Sequence, residues 1–233
     1  GNNAQGKTNF LEAIYVLSLS KSYRTTRDTE LIKHSALQAV AKAQVQKIAV
    51  LDLAVTVSHG SAKKLEVNQK TTNANSFIGQ LNTVLFTPDS LQLIKGSPGE
   101  RRRFLDVQIC QVDPVYRQNL LKYSRVVRQR NQLLKSGFEN RGLLKQLPVW
   151  DTQLAHLGSK IVLRRQKTLA TLHELSSCMH QKISGHEESL RVVYQPFFSN
   201  EYHNVDFSFK TLETLFLQEI RNKRQQEIRR GHT

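Results

Sequence analysis

The sequence predicts an α/β chain: an α+β lobe interrupted by an inserted helical hairpin arm. Three observations carry that expectation. A glycine-bounded loop, Gly1-Asn2-Asn3-Ala4-Gln5-Gly6, runs straight into Lys7-Thr8 and an apolar-periodic stretch from Asn9 to Ser20. Apolar alternation then dominates from Leu37 to Val67. From Ser90 to about Glu187 strand patterning almost vanishes, and Pro98, Pro114 and Pro148 each stand where a helix opens. These shifts divide the chain into 1–89, a first lobe; 90–188, the helical arm; and 189–233, a segment returning to the lobe.

Taken in order, Phe10, Leu11, Ala13, Ile14, Leu17 and Leu19 give the first helix its apolar positions, with no Gly or Pro to break it. Residues 21 to 34 form a basic loop carrying Lys21, Arg24, Arg27 and Lys33. Val40, Ala43 and Val45 predict one strand, and Ile48 through Val57 a second. Lys64 to Val67 predicts a third, with Asn68-Gln69 as a hairpin tip. Leu81 to Phe86 reads as a further strand stopped by Pro88. Beyond it, Pro98 starts one helix, and Pro114 starts another that ends at Ser136-Gly137. The longest helix follows Pro148, with Trp150, Leu154, Leu157 and Ile161 stepping along a buried stripe and Trp150 expected in the core. Two long antiparallel helices joined by a loop is the economical arrangement. Leu190, Val192 and Tyr194 predict a strand over Ser189 to Phe198, and Leu212 to Arg230 a closing helix.

The first eight residues fit G-x-x-x-x-G-K-[ST], the P-loop. A turn between two glycines lets successive backbone N–H groups converge on phosphate oxygens. The helix that must follow adds its positive N-terminal end. Lys7 is placed to reach the β- and γ-phosphates of ATP, and Thr8 to ligate Mg²⁺. Gly1, Asn2, Asn3, Ala4, Gln5 and Gly6 supply backbone donors. Asn9 is a further nucleotide-binding candidate, although a polar helix start explains it as well. A P-loop normally follows a buried strand, so a chain that opens on Gly1 is expected to be part of a longer one. No apolar run ending in the acidic pair of a P-loop ATPase occurs; Ile48 to Asp52 reads better as strand.

Charge narrows the partners. The 34 Lys and Arg outnumber 19 Asp and Glu, a formal net charge of +15, which points to a polyanion rather than to a fold. Between Lys95 and Lys135 ten Lys or Arg face three acids, Glu100, Asp106 and Asp113. No apolar run is long enough to span a membrane, and no signal peptide opens the chain, so no membrane role and a cytoplasmic setting are expected. Cys110 and Cys178 lack C-x-x-C partners and the eight His are scattered, so neither a disulfide framework nor a zinc site is expected.

Four segments resemble the RecF family of bacterial recombination-repair proteins, relatives of the SMC and ABC-type ATPases. They are Gly1 to Asn9 with Leu11-Glu12-Ala13-Ile14-Tyr15; Lys21-Ser22-Tyr23-Arg24-Thr25; Phe86-Thr87-Pro88-Asp89 with Lys95-Gly96-Ser97-Pro98 and Arg101 to Asp106; and Arg128-Gln129-Arg130-Asn131 with Trp150-Asp151. Gly231-His232-Thr233 resembles the lead into the family's signature segment. The resemblance implies an ABC/SMC-like ATPase head that binds ATP and Mg²⁺ and forms an ATP-dependent homodimer. It implies binding of double-stranded DNA at single-strand gaps, work with RecR and RecO in loading RecA, and slow hydrolysis that releases the dimer. Recombinational repair, replication-fork maintenance and the SOS response are the implied setting. The signature segment and Walker B acids lie outside this chain, so no catalytic residue is expected within it. Weak DNA-stimulated ATPase activity is implied only for the full-length protein.

Candidate DNA contacts follow from charge and place. Arg24 stands after the P-loop helix, where SMC relatives carry an arginine near nucleotide and DNA. Arg101, Arg102 and Arg103 point in three directions on a helix, toward DNA, a partner or Asp106. Arg125 and Arg128, with Lys135, lie along one side of the second helix, suited to phosphates or simply to solvent. A P-loop ATPase or phosphotransferase with an incidental basic surface is the alternative reading, and a nucleic-acid-binding module with a vestigial P-loop a third.

Overall fold

The computed structural model describes residues 6–137, 141–196 and 208–233. They form two compact units, Gly1–Pro114 and Val115–Thr233. The boundary falls inside the segment that patterning assigns to the helical arm.

In the first unit α1 spans Lys7–Leu19 and stops where Ser20 turns left-handed and donates its N–H to the Val16 carbonyl at 2.8 Å. Strands β1 (Gln38–Gln46), β2 (Val50–Ser58), β3 (Lys64–Val67) and β4 (Lys70–Thr72) form an antiparallel meander in sequential order. Ile48 is not in a strand but sits fully exposed at the β1–β2 turn. The tip at Asn68-Gln69 is as expected. Both residues take positive φ, and the Asn68 side-chain oxygen accepts the Asp52 N–H at 2.9 Å, tying the turn back to β2. One sheet face packs on α1. Leu53, Val55, Val57 and Leu65 join Val16, Leu17, Ile32 and Phe77 in the core. Three helices complete the unit: α2 (Ala74–Phe77), α3 (Gln92–Lys95) and α4 (Pro98–Val112).

The strand expected over Leu81–Phe86 does not form. A side chain takes the place of a neighbouring strand. The Gln111 amide accepts the Thr83 N–H at 2.7 Å and donates to the Thr83 carbonyl at 3.0 Å. Ser18 of α1 donates to the Leu81 carbonyl at 2.8 Å and stands 2.9 Å from the same Gln111 oxygen. Backbone demand is met without a ladder, so alternation alone did not decide the conformation.

The second unit is a packing of three long helices: α5 (Pro114–Ser136), α6 (Leu147–Ile183) and α7 (Phe209–Arg230). Tyr116 meets Arg165 and Arg130 meets Asp151, so α5 and α6 run antiparallel, as expected. The expected hairpin is not a closed pair, however. The closing helix α7 joins it, supplying Leu212, Phe216 and Ile220 to a core with Val126, Leu154, Ala155 and Val162. Gly158 lets α7 approach, because any Cβ there would overlap the Phe216 ring. Trp150 packs partly buried at the edge of this core. The strand expected over Ser189–Phe198 is absent as far as Gln195 and Pro196; 197 and 198 lie outside the described residues. Its backbone pairs with side chains of α6 instead: Ser177 donates to the Leu190 carbonyl at 2.6 Å, and the Val192 N–H donates to His173 Nδ1 at 3.2 Å.

Candidate nucleotide site and basic surface

Gly1, Asn2, Asn3, Ala4 and Gln5 lie outside the described residues. The described chain begins at Gly6. Gly6 takes φ 77° and ψ 8°, a left-handed conformation that glycine adopts freely, and α1 begins at Lys7. The Phe10 N–H donates to the Gly6 carbonyl at 3.0 Å, closing the first helical turn. Lys7, Thr8 and Asn9 are exposed on that turn, where an α-helix directs N–H groups that its own ladder cannot use.

Arg24 is brought to this turn. Its Nη1 lies 3.1 Å from Glu12 Oε2 and 3.4 Å from Asn9 Oδ1. Glu12, nearly buried, also accepts the Ser22 hydroxyl at 2.5 Å, and Ser22 in turn accepts the N–H groups of Arg24 and Thr25. Tyr23 packs edge-on to Tyr15, with ring centroids 5.5 Å apart. Burial raises the Tyr15 phenol above its usual range, which the Arg103 charge partly opposes. Glu12 is the residue that sequence reasoning missed. A carboxylate one turn into the helix, with a Ser-x-Arg ten residues on, was the available signal. Glu12→Ala is expected to unmoor Ser22 and speed amide hydrogen exchange at Arg24 and Thr25 by at least about tenfold, since bonds to charged groups contribute roughly 1.5–3 kcal/mol. Hydrogen-exchange mass spectrometry of that segment checks it.

The other candidate arginines divide. Arg101 is engaged structurally: its guanidinium donates to the carbonyls of Leu93 and Ile94 at 2.9 and 2.7 Å. Arg102 and Arg103 are exposed on the same turn of α4. Arg125, Arg128 and Lys135 are exposed on α5, opposite the buried Val126, Arg130 and Leu134.

Arg130, to which the sequence alone assigns no role, is the most deeply buried cation among the described residues. With no exposed surface, it donates to Asp151 at 2.7 Å, Glu227 at 2.6 Å and the Thr233 hydroxyl at 2.6 Å. Arg224 reaches the second oxygen of Asp151 at 2.5 Å. Burial works to lower the Arg130 pKa, but the bonds to Glu227 and Asp151 outweigh it and leave it raised. The cluster knits α5, α6 and α7 and holds the residues after α7, with Asn131 accepting the Thr233 N–H at 2.8 Å.

A mixed helix-and-sheet lobe in which α1 opens at Lys7, with a long-helix unit following it, is an α/β fold of the ABC/SMC-like type. Over its whole length the chain is homologous to the RecF proteins. It is 37% identical over 241 residues to the DNA replication and repair protein RecF of Natranaerobius thermophilus, and 37% over 236 residues to that of Enterococcus faecalis. In each case all of this chain is covered, and the chain spans 62% of the relative's length. Two solved structures of the recombination mediator RecF in the RecFOR pathway, RecF-ATPrS and RecF-ATP, superpose with TM-scores of 0.91 and 0.88. Both are 26% identical and cover all of this chain and 62% of theirs. No family model matches the chain. Among the described residues no helix is long and apolar enough to cross a membrane.

Proposed function

We propose that this chain is the nucleotide-binding and arm-bearing portion of an ATP-gated DNA-binding protein of recombinational repair. Whole-length likeness to a RecF–ATP structure, together with a helix that opens at Lys7 of a P-loop, carries the reading. Lys7 holds the β- and γ-phosphates of ATP, and the Thr8 hydroxyl gives Mg²⁺ the hard oxygen ligand it prefers. Backbone N–H groups from Gly1 to Gly6 complete the cradle, with Asn9 and Arg24 at its edge. With ATP–Mg²⁺ held there, two copies of the full-length protein would associate as a homodimer. The dimer holds duplex DNA at single-strand gaps and works with RecR and RecO in loading RecA. The unit Gly1–Pro114 serves as the ATP-binding lobe and the unit Val115–Thr233, which includes α7, as the arm, acting in the cytoplasm.

ATP turnover in a protein of the relatives' full length is expected to be slow and to respond to DNA, because hydrolysis serves release. Steady-state phosphate release with and without duplex DNA is the test. Fast turnover indifferent to DNA would replace the reading with that of a P-loop ATPase or phosphotransferase.

A further inference from the structure

We infer that His173 is a proton-operated latch on the segment that follows α6: neutral, it holds the chain at Val192, and on gaining a proton it lets that point go. The latch lies within the second unit and is independent of the nucleotide and DNA readings.

His173, Ser177 and His180 stand at i, i+4 and i+7 of α6, so they share one face of the helix. Gly185 and His186 take positive φ just after the helix, and the returning chain meets that face in reverse order. Glu188 Oε2 lies 3.6 Å from His180 Nε2. The Leu190 carbonyl accepts the Ser177 hydroxyl at 2.6 Å, and the Val192 N–H donates to His173 Nδ1 at 3.2 Å. Alternate residues of the returning segment thus meet successive turns of α6. Two residues further on, Tyr194 packs against the core that α5, α6 and α7 share.

The protons in this arrangement can be placed. A backbone N–H only donates, so Nδ1 must offer Val192 a lone pair, as the neutral ring does with its proton on Nε2. Ser177 Oγ lies 3.1 Å from the same Nδ1. Its one proton goes to Leu190, which leaves its oxygen open to a donor. An imidazolium carries a proton on both nitrogens. The proton added at Nδ1 would face the Val192 N–H, donor against donor, whereas the Ser177 oxygen can accept it and still donate to Leu190. Protonation therefore moves the His173 bond from Val192 to Ser177. The segment stays tied at Leu190 and comes free at Val192.

No neighbouring charge changes that sense. Among the described residues none forms an ion pair with His173. Glu174 on α6, and Glu187, Glu188 and Arg191 on the returning segment, are exposed. Tyr116 near the start of α5 meets Arg165, and Phe209 at the start of α7 meets His156, so neither helix reaches the level of His173. Glu188 is drawn to His180, which gains attraction when protonated. The two histidines thus answer acid in opposite senses, and release is confined to the Val192 end.

The test is hydrogen exchange resolved at the Val192 amide of the whole chain, corrected for the intrinsic pH dependence of exchange, at about pH 8 and about pH 5.5, the range in which histidine changes charge. Protection is expected to fall by about fivefold or more on acidification, the loss for a donor left without its acceptor. His173→Asn sets an amide oxygen, which does not titrate, near the place of Nδ1; protection should persist there and no longer respond to pH. His173→Ala should be poorly protected at both values, and His180→Gln should respond as wild type does. Circular dichroism checks that every variant is folded at both. Equal protection of wild-type Val192 at the two pH values overturns the inference. So does a pH response that survives in His173→Asn or His173→Ala, or that is lost in His180→Gln. A loss shared equally by the core amides from Leu212 to Ile220 is general acid unfolding and overturns it too.

Discussion

Lys7→Met is expected to weaken ATP–Mg²⁺ binding roughly 10- to 100-fold and to abolish any ATP dependence of DNA retention. The methionine keeps the length and apolar stem of lysine but removes the ammonium, and with it bonds to phosphate of about 1.5–3 kcal/mol. Lys7 is exposed on the first turn of α1, away from the core of Val16, Leu17 and the sheet, so the fold should be unaffected. Titration of a fluorescent ATP analogue measures the first effect, and a thermal melt checks the second. An unchanged affinity would mean that the N-terminal turn of α1 does not receive the nucleotide.

The largest stability effect is expected at Arg130. Its removal leaves Glu227 and one oxygen of Asp151 buried without their cation, and Arg224 meets only the other oxygen. Breaking one partner out of a buried ionic cluster costs about 3–5 kcal/mol. For a chain of this size that corresponds to a fall in Tm of roughly 6–20 °C, read by circular dichroism of Arg130→Ala. The cost comes from stranding the partners. Replacing the cluster as a whole, with Arg130→Met, Asp151→Leu, Glu227→Leu and Arg224→Met together, should recover most of it, because desolvation of the ions is then avoided and none is left without its partner. If Arg130→Ala melts like wild type, the cluster does not hold the three helices.

Much of the fold was legible because its signals are local. Proline at a helix start, glycine after Ser136, and Asn68 at a hairpin tip act within a few residues of themselves, and those elements stand close to where they were expected. The two strands that did not form show the other case. Leu81–Phe86 and the stretch after Ser189 alternate like strands, yet Gln111, His173 and Ser177, each distant or on another element, meet their backbone needs. Nothing within either segment announces that. The arginines make the same point for the site. Arg128 and Arg130 are alike in composition and spacing, and only the arrival of Asp151 and Glu227, 21 and 97 residues away, makes one a buried hub and leaves the other on the surface. The P-loop motif is readable in the sequence because it is contiguous. The Glu12–Ser22–Arg24 brace beside it was not, since it depends on how the segment after α1 folds back.

The most direct measurement is retention of gapped and fully duplex DNA by a protein of the relatives' full length, with and without ATP–Mg²⁺, at two salt concentrations and beside Lys7→Met. Retention that requires ATP–Mg²⁺, weakens with salt and disappears in Lys7→Met is the predicted result. Retention indifferent to nucleotide and unaffected by Lys7→Met would contradict ATP gating and reduce the chain to a basic DNA-binding surface.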